Sequence, residues 1–368
     1  MSADVAVDRA GLAVTDGKIA VINLESARRR AWARFAQDPR RPGGAEDIVD
    51  MERLAAQFLG DVDALDRLVA FASQFAHVHD SFRADLVGAA IASTVHRFRD
   101  AKEHLADAAR KGAAPEAIER QWLTIEQACG IELPSVLAAR RRIATTSGRI
   151  EDLVLLGAAL VDLGHFAEAD AAYRQAFRSY DGTLPFPLAW VCFQLGVLWG
   201  EAVPEPDSNL AALWYRRAID YLPDYVRARV HLAEIYASRG RADDAETLLL
   251  PALRSRDPEV RWRLADALAA QARFDEAEAE RDAARCAFDE LLEKHLLAFA
   301  DHAADFYAGI GNDCERALSL ARANVENRPT RRALGQWETI ARKAGGVPSA
   351  RRVEVATLHV NRHTPGDP

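Results

Sequence analysis

In the second half of the chain, apolar residues recur at helical spacing, in a block that returns every 32 to 39 residues. The segment LVLLGAALVDLGHFAEADAAYRQAF, from Leu153, shows one block in full. Gly157 and Ala169 lie twelve positions apart, Gly164 marks a turn between them, and Tyr173 and Ala176 follow. RVHLAEIYASRGRADDAETLLLPAL repeats the scheme with Ala233, Gly240, Ala245, Leu249 and Ala252. RLADALAAQARFDEAEAERDAA does so with Ala265 and Ala277, and GAAIASTVHRFRDAKEHLADAA with Ala89 and Ala101. Two copies carry longer turns, from Gly196 to Ala211 and from Ala303 to Ala317.

Each block predicts two antiparallel helices joined by a short turn. Small residues let the two backbones approach, and larger apolar neighbours fill the groove beside them. One pair cannot bury its apolar face alone, so neighbouring pairs must stack into a continuous core. Pro223 and Pro329 close their second helices, because proline removes an amide donor and its ring blocks continuation.

These positions resemble the tetratricopeptide repeat. The matching residues are Leu156, Gly157, Leu160, Gly164, Phe166, Ala169, Tyr173 and Ala176 in one unit. Leu195, Gly196, Trp199, Ala211, Tyr215, Ala218 and Pro223 match in the next, and Leu232, Ala233, Tyr236, Gly240 and Ala245 in a third. Arg281 and Ala321 stand where the family carries a large apolar residue, and Asp181 where a proline usually closes the unit. The resemblance implies an all-α fold, a right-handed superhelical α-solenoid of antiparallel helix pairs. It is clear over residues 150–330, with degenerate repeats expected over 46–149 and capping helices over 331–360. The layout also resembles bacterial repeat proteins without an assigned activity, above all in FADHAADFYAGIGNDCERALSLARANVENRPT.

The first residues read differently. LAVTDGKIAVIN flanks Asp16-Gly17 with apolar runs, a two-residue hairpin signal. Residues 1–45 are therefore expected to form a hairpin cap or an irregular arm leading to a helix from about Leu24. DPRRPGGAED reads as a loop, and residues 361–368 as a disordered tail.

Charge narrows the partners. The net charge is −8, from 47 Lys and Arg against 55 Asp and Glu, which argues against a nucleic-acid binder that works by bulk charge. The basic run from Ala27 to Arg41 is the local exception and is expected to be a solvated helix face. Cys129, Cys192, Cys286 and Cys314 are far apart and form no metal-type pair, which fits a reducing compartment. Asp4, Asp8 and Arg9 interrupt the region where a secretion signal would be apolar, and no stretch is long enough for a membrane span. A cytoplasmic location is expected.

No catalytic set emerges. Phosphate-loop, dinucleotide and nucleophile-elbow motifs are all missing. His77 and His79 point apart on a helix, and His295 and His302 lie two turns apart. His359 and His363 have zinc-compatible spacing but no acidic residue between them. No enzyme activity, cofactor or metal is expected.

What remains is the concave surface, which the resemblance assigns to the first helix of each pair. Residues flanking its core stripe are Trp190, Phe193, Gln194 and Val197 in one unit. Arg227, His231 and Glu234 follow in the next, then Trp262, Arg263 and Asp266, then Tyr307. Their chemistry, aromatic anchors among charges of both signs, is that of a binding hot spot. Packing of Trp190, Phe193 and Trp262 between repeats is the competing expectation. A two-carboxylate clamp is not expected, because the matching positions, such as Val154, Val230 and Glu234, are apolar or acidic. The expected function is an adaptor that binds a peptide segment or protein face in the groove. The alternatives are a regulator whose repeats gate the basic N-terminal segment, and a metal-binding or enzymatic accessory protein.

Overall fold

The computed structural model describes residues 14–78 and 81–345, and the regular elements among them are all helical. The first seven helices are α1 (Gly17–Gln37), α2 (Gly44–Leu59), α3 (Asp63–Val78), α4 (Phe82–Thr94), α5 (Phe98–Arg110), α6 (Pro115–Cys129) and α7 (Leu133–Ser147). The next six are α8 (Ile150–Asp162), α9 (Phe166–Ser179), α10 (Pro185–Val197), α11 (Ser208–Tyr221), α12 (Val226–Ser238) and α13 (Ala242–Leu249). Then come α14 (Pro258–Ala270), α15 (Phe274–Ala308), α16 (Cys314–Asn327) and α17 (Arg331–Lys343). His295 breaks α15 into two arms, with φ −138° and ψ 48°. Helices pair in sequence from α2–α3 to α14 with the first arm of α15, and the second arm pairs with α16. At the two extremes of the described array, α1 packs on α2 and α17 on α16.

The repeat residues act as the spacing implied. The Tyr173 ring lies over Gly157, and the Tyr215 ring over Gly196. A Cβ at either glycine would meet ring carbon at 2.4 Å. The turn column is equally regular. Gly164 and Gly240 adopt left-handed φ of 80° and 71°, which closes the helix pair at no steric cost. In the same column Ala272 and His96 hold φ of 59° and 57° without being glycine.

Asp16-Gly17 is not a hairpin turn. Asp16 is the N-cap of α1, and its carboxylate accepts from the amides of Lys18 and Ile19. An Asp before an apolar run signals a cap as readily as a turn, and here the cap wins. The helix thus begins well before Leu24. Residues 1–13, which include the start of the hairpin motif, lie outside the described residues, as do His79, His359, His363 and the expected tail.

The basic run is only partly a solvated face. Ala31 and Phe35 are buried, and the Trp32 indole donates to Glu52 at 2.7 Å. Phe35 and Phe71 pack edge to face at 4.9 Å. Glu52 is fully buried and also accepts from Arg67 at 2.8 and 3.0 Å. Thus α1 is an integral wall of the first helices rather than a separate segment, and only residues such as Arg29 and Arg30 face outward.

The array closes on itself. Contacts along one seam join residues 168 to 231 positions apart in sequence. Arg256 reaches Asp63 at 3.0 Å, and Asp66 pairs with Lys294 at 3.0 Å and with His295 at 2.7 Å. The His96 ring bonds the Leu297 carbonyl at 3.2 Å, and Asn327 donates to the His96 carbonyl at 3.0 Å. Backbone packs as closely: a Cβ on Gly17 would lie 2.4 Å from the Tyr221 carbonyl oxygen. Gly60 sits against Ser255 and Asp257, and Gly130 against Thr330. Long separations that advance in step along both edges are what a superhelix produces when each new turn rides on the one before.

Candidate functional site

Four successive first helices, α8, α10, α12 and α14, present the same narrow stripe. Counting from the small core residue (Gly157, Gly196, Ala233, Ala265), the positions six and two before it and one after remain partly exposed. In α10 these are Trp190, Gln194 and Val197; in α12, Arg227, His231 and Glu234; in α14, Glu259, Arg263 and Asp266. The position three before is buried in these four helices and in the second arm of α15: Val154, Phe193, Val230, Trp262 and Ala300. It lies on the side of the helix turned toward the neighbouring pair.

Eight of the eleven residues named from sequence therefore share one accessible stripe. Phe193, Trp262 and Tyr307 do not. Phe193 packs against Tyr215, Tyr225 and His231, with centroids 5.2 to 5.6 Å apart. Trp262 packs against Phe306 at 5.6 Å and Phe288 at 6.4 Å, with the Arg263 guanidinium 3.7 Å from its ring centroid. Tyr307 is fully buried and hydrogen-bonds Asp289. These rings hold repeats together and offer a ligand no face.

The stripe is knitted laterally into two charged networks. Beyond Val197 the chain continues as a π-helical turn, Leu198–Ala202, which lifts Glu201 to the inner face. Glu201 pairs with His231 of α12 at 2.8 Å, and Tyr215 donates to Glu201 at 3.3 Å. Glu234, one turn on from His231, pairs with Arg263 of α14, which also reaches Asp266 at 3.4 Å. The second network starts at Glu259, which pairs with His302 in the second arm of α15. Asp301 beside it pairs with Arg328, and its carbonyl accepts from Gln336 at 2.8 Å.

Burial and opposite charge compete at each group. Burial alone would lower the pKa of His302, but the carboxylates of Asp301 and Glu259 outweigh it and raise it to about 9. Asp301 is in turn drawn down to about 2 by His302, Arg328 and His96, against its burial. Glu201 is lowered, since the hydrogen bond from His231 and the charge of Arg332 overcome burial. Glu234 goes the other way, raised because burial exceeds the pull of Arg263 and His231. Arg227 and Arg332 are exposed, and no described residue gives either a hydrogen bond or ion pair.

The sequence reading weighed His302 only as a metal ligand with His295, although a signal for another role existed. The equivalent residues of the earlier units are Leu156, Leu195, Leu232 and Leu264, so a histidine in that column departs from the core pattern. Glu201 was hidden because the π-helical turn shifts its register. His295 belongs to the seam, and the break there removes it from the face of His302.

The family profile described as Tetratricopeptide repeat matches residues 209–257. That match runs from α11 to the loop before α14 and includes the inner residues of α12. Several solved structures are similar to this chain at low identity. One is a tetratricopeptide repeat protein from Parabacteroides merdae, 15% identical, covering 71% of this chain and 99% of that one, with TM-score 0.40. Another is the apo form of the quorum sensor NprR from B. thuringiensis, 14% identical, covering 92% and 98%, with TM-score 0.45. A third is yeast Tom70, 13% identical, covering 92% and 84%, with TM-score 0.36. No curated relative matches the chain.

Among the described residues, no group of three or more His, Cys, Asp or Glu is placed to hold a metal ion. No helix among them is long and apolar enough to cross a membrane. The most apolar helix, α10, instead supplies core: Phe186, Leu188, Val191, Cys192 and Leu195 are buried, and burial pushes the Cys192 thiol well up from its usual range.

Proposed function

We propose that the protein is a non-catalytic adaptor that holds a peptide segment on the inner face of its repeats. The observation that carries this reading is the stripe itself, whose partly exposed, mostly polar positions recur in register across α10, α12 and α14. A repeated stripe of side-chain donors and acceptors suits an extended segment, which presents its own groups periodically. The acids and cations of the stripe largely neutralise one another, so its specificity lies in the position of charges rather than in bulk attraction. Arg227 and Arg332 are the cations left to engage a ligand, and Trp190 is the aromatic one. The four unpaired cysteines fit a reducing compartment, and we place the protein in the cytoplasm.

The test is a pull-down from host extract with the combined variant Trp190→Ala, Gln194→Ala, Arg227→Glu and Asp266→Lys. All four side chains are partly exposed, so helical content by circular dichroism should remain unchanged. Loss of the captured partner is expected. A partner held equally well by the variant would overturn the assignment of the inner face.

A further inference from the structure

The seam determines what can reach the inner face. It ties the chain near Thr15 to Thr183, Gly17 to Tyr221 and Pro223, Gly60 to Ser255 and Asp257, and Asp66 to His295. His96 meets Leu297, and Gly130 meets Thr330. A solenoid reaches its concave surface from the side through the gap between successive turns. Here the edges of two turns touch at main-chain distance along that gap. The inner helices then wall a channel whose mouths lie on the superhelical axis.

Two further observations agree with enclosure. Residues far apart in sequence come within electrostatic reach: the charge of Arg332 at the start of α17 helps lower the pKa of Glu201 in the π-helical turn after α10. Burial is also the largest influence on Glu201, Glu234, Glu259, Asp301 and His302. Yet the side chains of these residues keep 14 to 38% of their surface accessible to water. These groups thus lie in a recess between helices that water still reaches, which the seam closes from the side.

We infer that the inner face is a closed, water-filled channel that admits a linear peptide or an unfolded chain terminus along the axis and excludes the face of a folded domain. This deepens the binding reading above and rests on it for the identity of the occupant, since enclosure alone says only what can enter.

The test measures access. In a background with Cys286→Ser and Cys314→Ser, single cysteines replace Gln194 and Asp266 inside, and Arg99, whose side chain is 91% exposed, outside. Each is reacted with N-ethylmaleimide, with a maleimide at the end of an unstructured linear peptide, and with a maleimide on the surface of a small folded domain. The first two reagents should label the inner cysteines within about tenfold of the outer one, and the third at least ~100-fold more slowly, as thiol reactivity follows access. A folded reagent that labels inside and outside alike would show an open slot and overturn the inference. So would exclusion of the linear peptide, which would show a channel too narrow for any chain. A groove variant that keeps its partner while the expected pattern holds would refute the binding reading and leave the enclosure standing.

Discussion

The first three helices and the later repeats reach the same geometry by different means. From α8 onward, a small residue on one helix accepts a large one from the next, most plainly Tyr173 on Gly157 and Tyr215 on Gly196. Around α1, α2 and α3 no such fit operates. An aromatic cluster of Trp32, Phe35, Phe71 and Phe75 fills the space, and the buried Glu52 ties α1 and α3 to α2 through Trp32 and Arg67. The difference teaches that paired-helix stacking does not depend on the repeat signature. It needs a filled interface, and a buried charge can organise one if every partner is in place.

The sharpest way to break the comparison is Glu52→Ala. It leaves the Trp32 indole and the Arg67 guanidinium without their buried acceptor, with Arg28 also losing a neighbour at 3.7 Å. Removing one member of a buried charged set typically costs about 3–5 kcal/mol, and the partial exposure of both arginines places this case near the lower figure. Hydrogen-exchange protection in α2 and α3 should fall by that amount, while α10–α12 keeps its own. Equal loss in both regions would mean the two halves are not stabilised separately.

Gly196→Ala probes the other strategy. The new Cβ would lie 2.4 Å from the buried Tyr215 ring, which is confined by Phe193 and His231. Overpacking of this kind costs about 1–3 kcal/mol. The loss should centre on α10 and α11 in the same exchange measurement, and Tyr215→Leu in the same chain should restore part of it. Failure of that rescue would separate the glycine from the tyrosine.

Helix pairs, their period and most of the inner stripe were legible in the sequence, because small residues and turn glycines recur at fixed offsets. The narrowness of the stripe was not. Phe193 and Trp262 sit only one residue from Gln194 and Arg263, and a 100° step on a helix separates core from groove. Nor was the seam legible, since Gly17, Gly60 and Gly130 owe their roles to loops about 200 residues away. The aromatic core around Glu52 follows no repeat and left no periodic trace.

His302 sharpens the comparison within the later repeats, as the one polar residue in a leucine column. Its pKa in the folded chain, about 9, exceeds the ordinary 6.5. The protonated form is therefore favoured by folding. Its contribution is complete below about pH 6.5 and is lost as the pH rises through 9. With 37% of the side chain exposed, solvent screens part of the gain and leaves about 1–2 kcal/mol. Stability of α14–α16 should fall between pH 6.5 and 9, and His302→Leu, which restores the residue of the other units, should flatten that slope. An unchanged slope would assign it elsewhere.

The smallest effect concerns the turn column, where His96 of the first helices and Ala272 of the later repeats both hold left-handed φ without being glycine. Such a conformation costs roughly 1–2 kcal/mol for a residue with a Cβ. Ala272 has no side-chain contact that offsets it. Ala272→Gly should therefore stabilise the α14–α15 pair, by about 0.5–1 kcal/mol once the greater freedom of unfolded glycine is subtracted. His96 differs because its ring bonds Leu297 across the seam and stacks on Phe98 at 5.3 Å. His96→Gly would relieve the same backbone strain but remove those contacts, and the net change should be a loss. If both substitutions stabilise alike, the His96 ring adds nothing to closure and the seam is held by backbone packing at Gly17, Gly60 and Gly130. If they diverge in sign, one strained column serves two ends: in the later repeats it is a residual cost, and in the first helices it aims a side chain at the next turn of the superhelix.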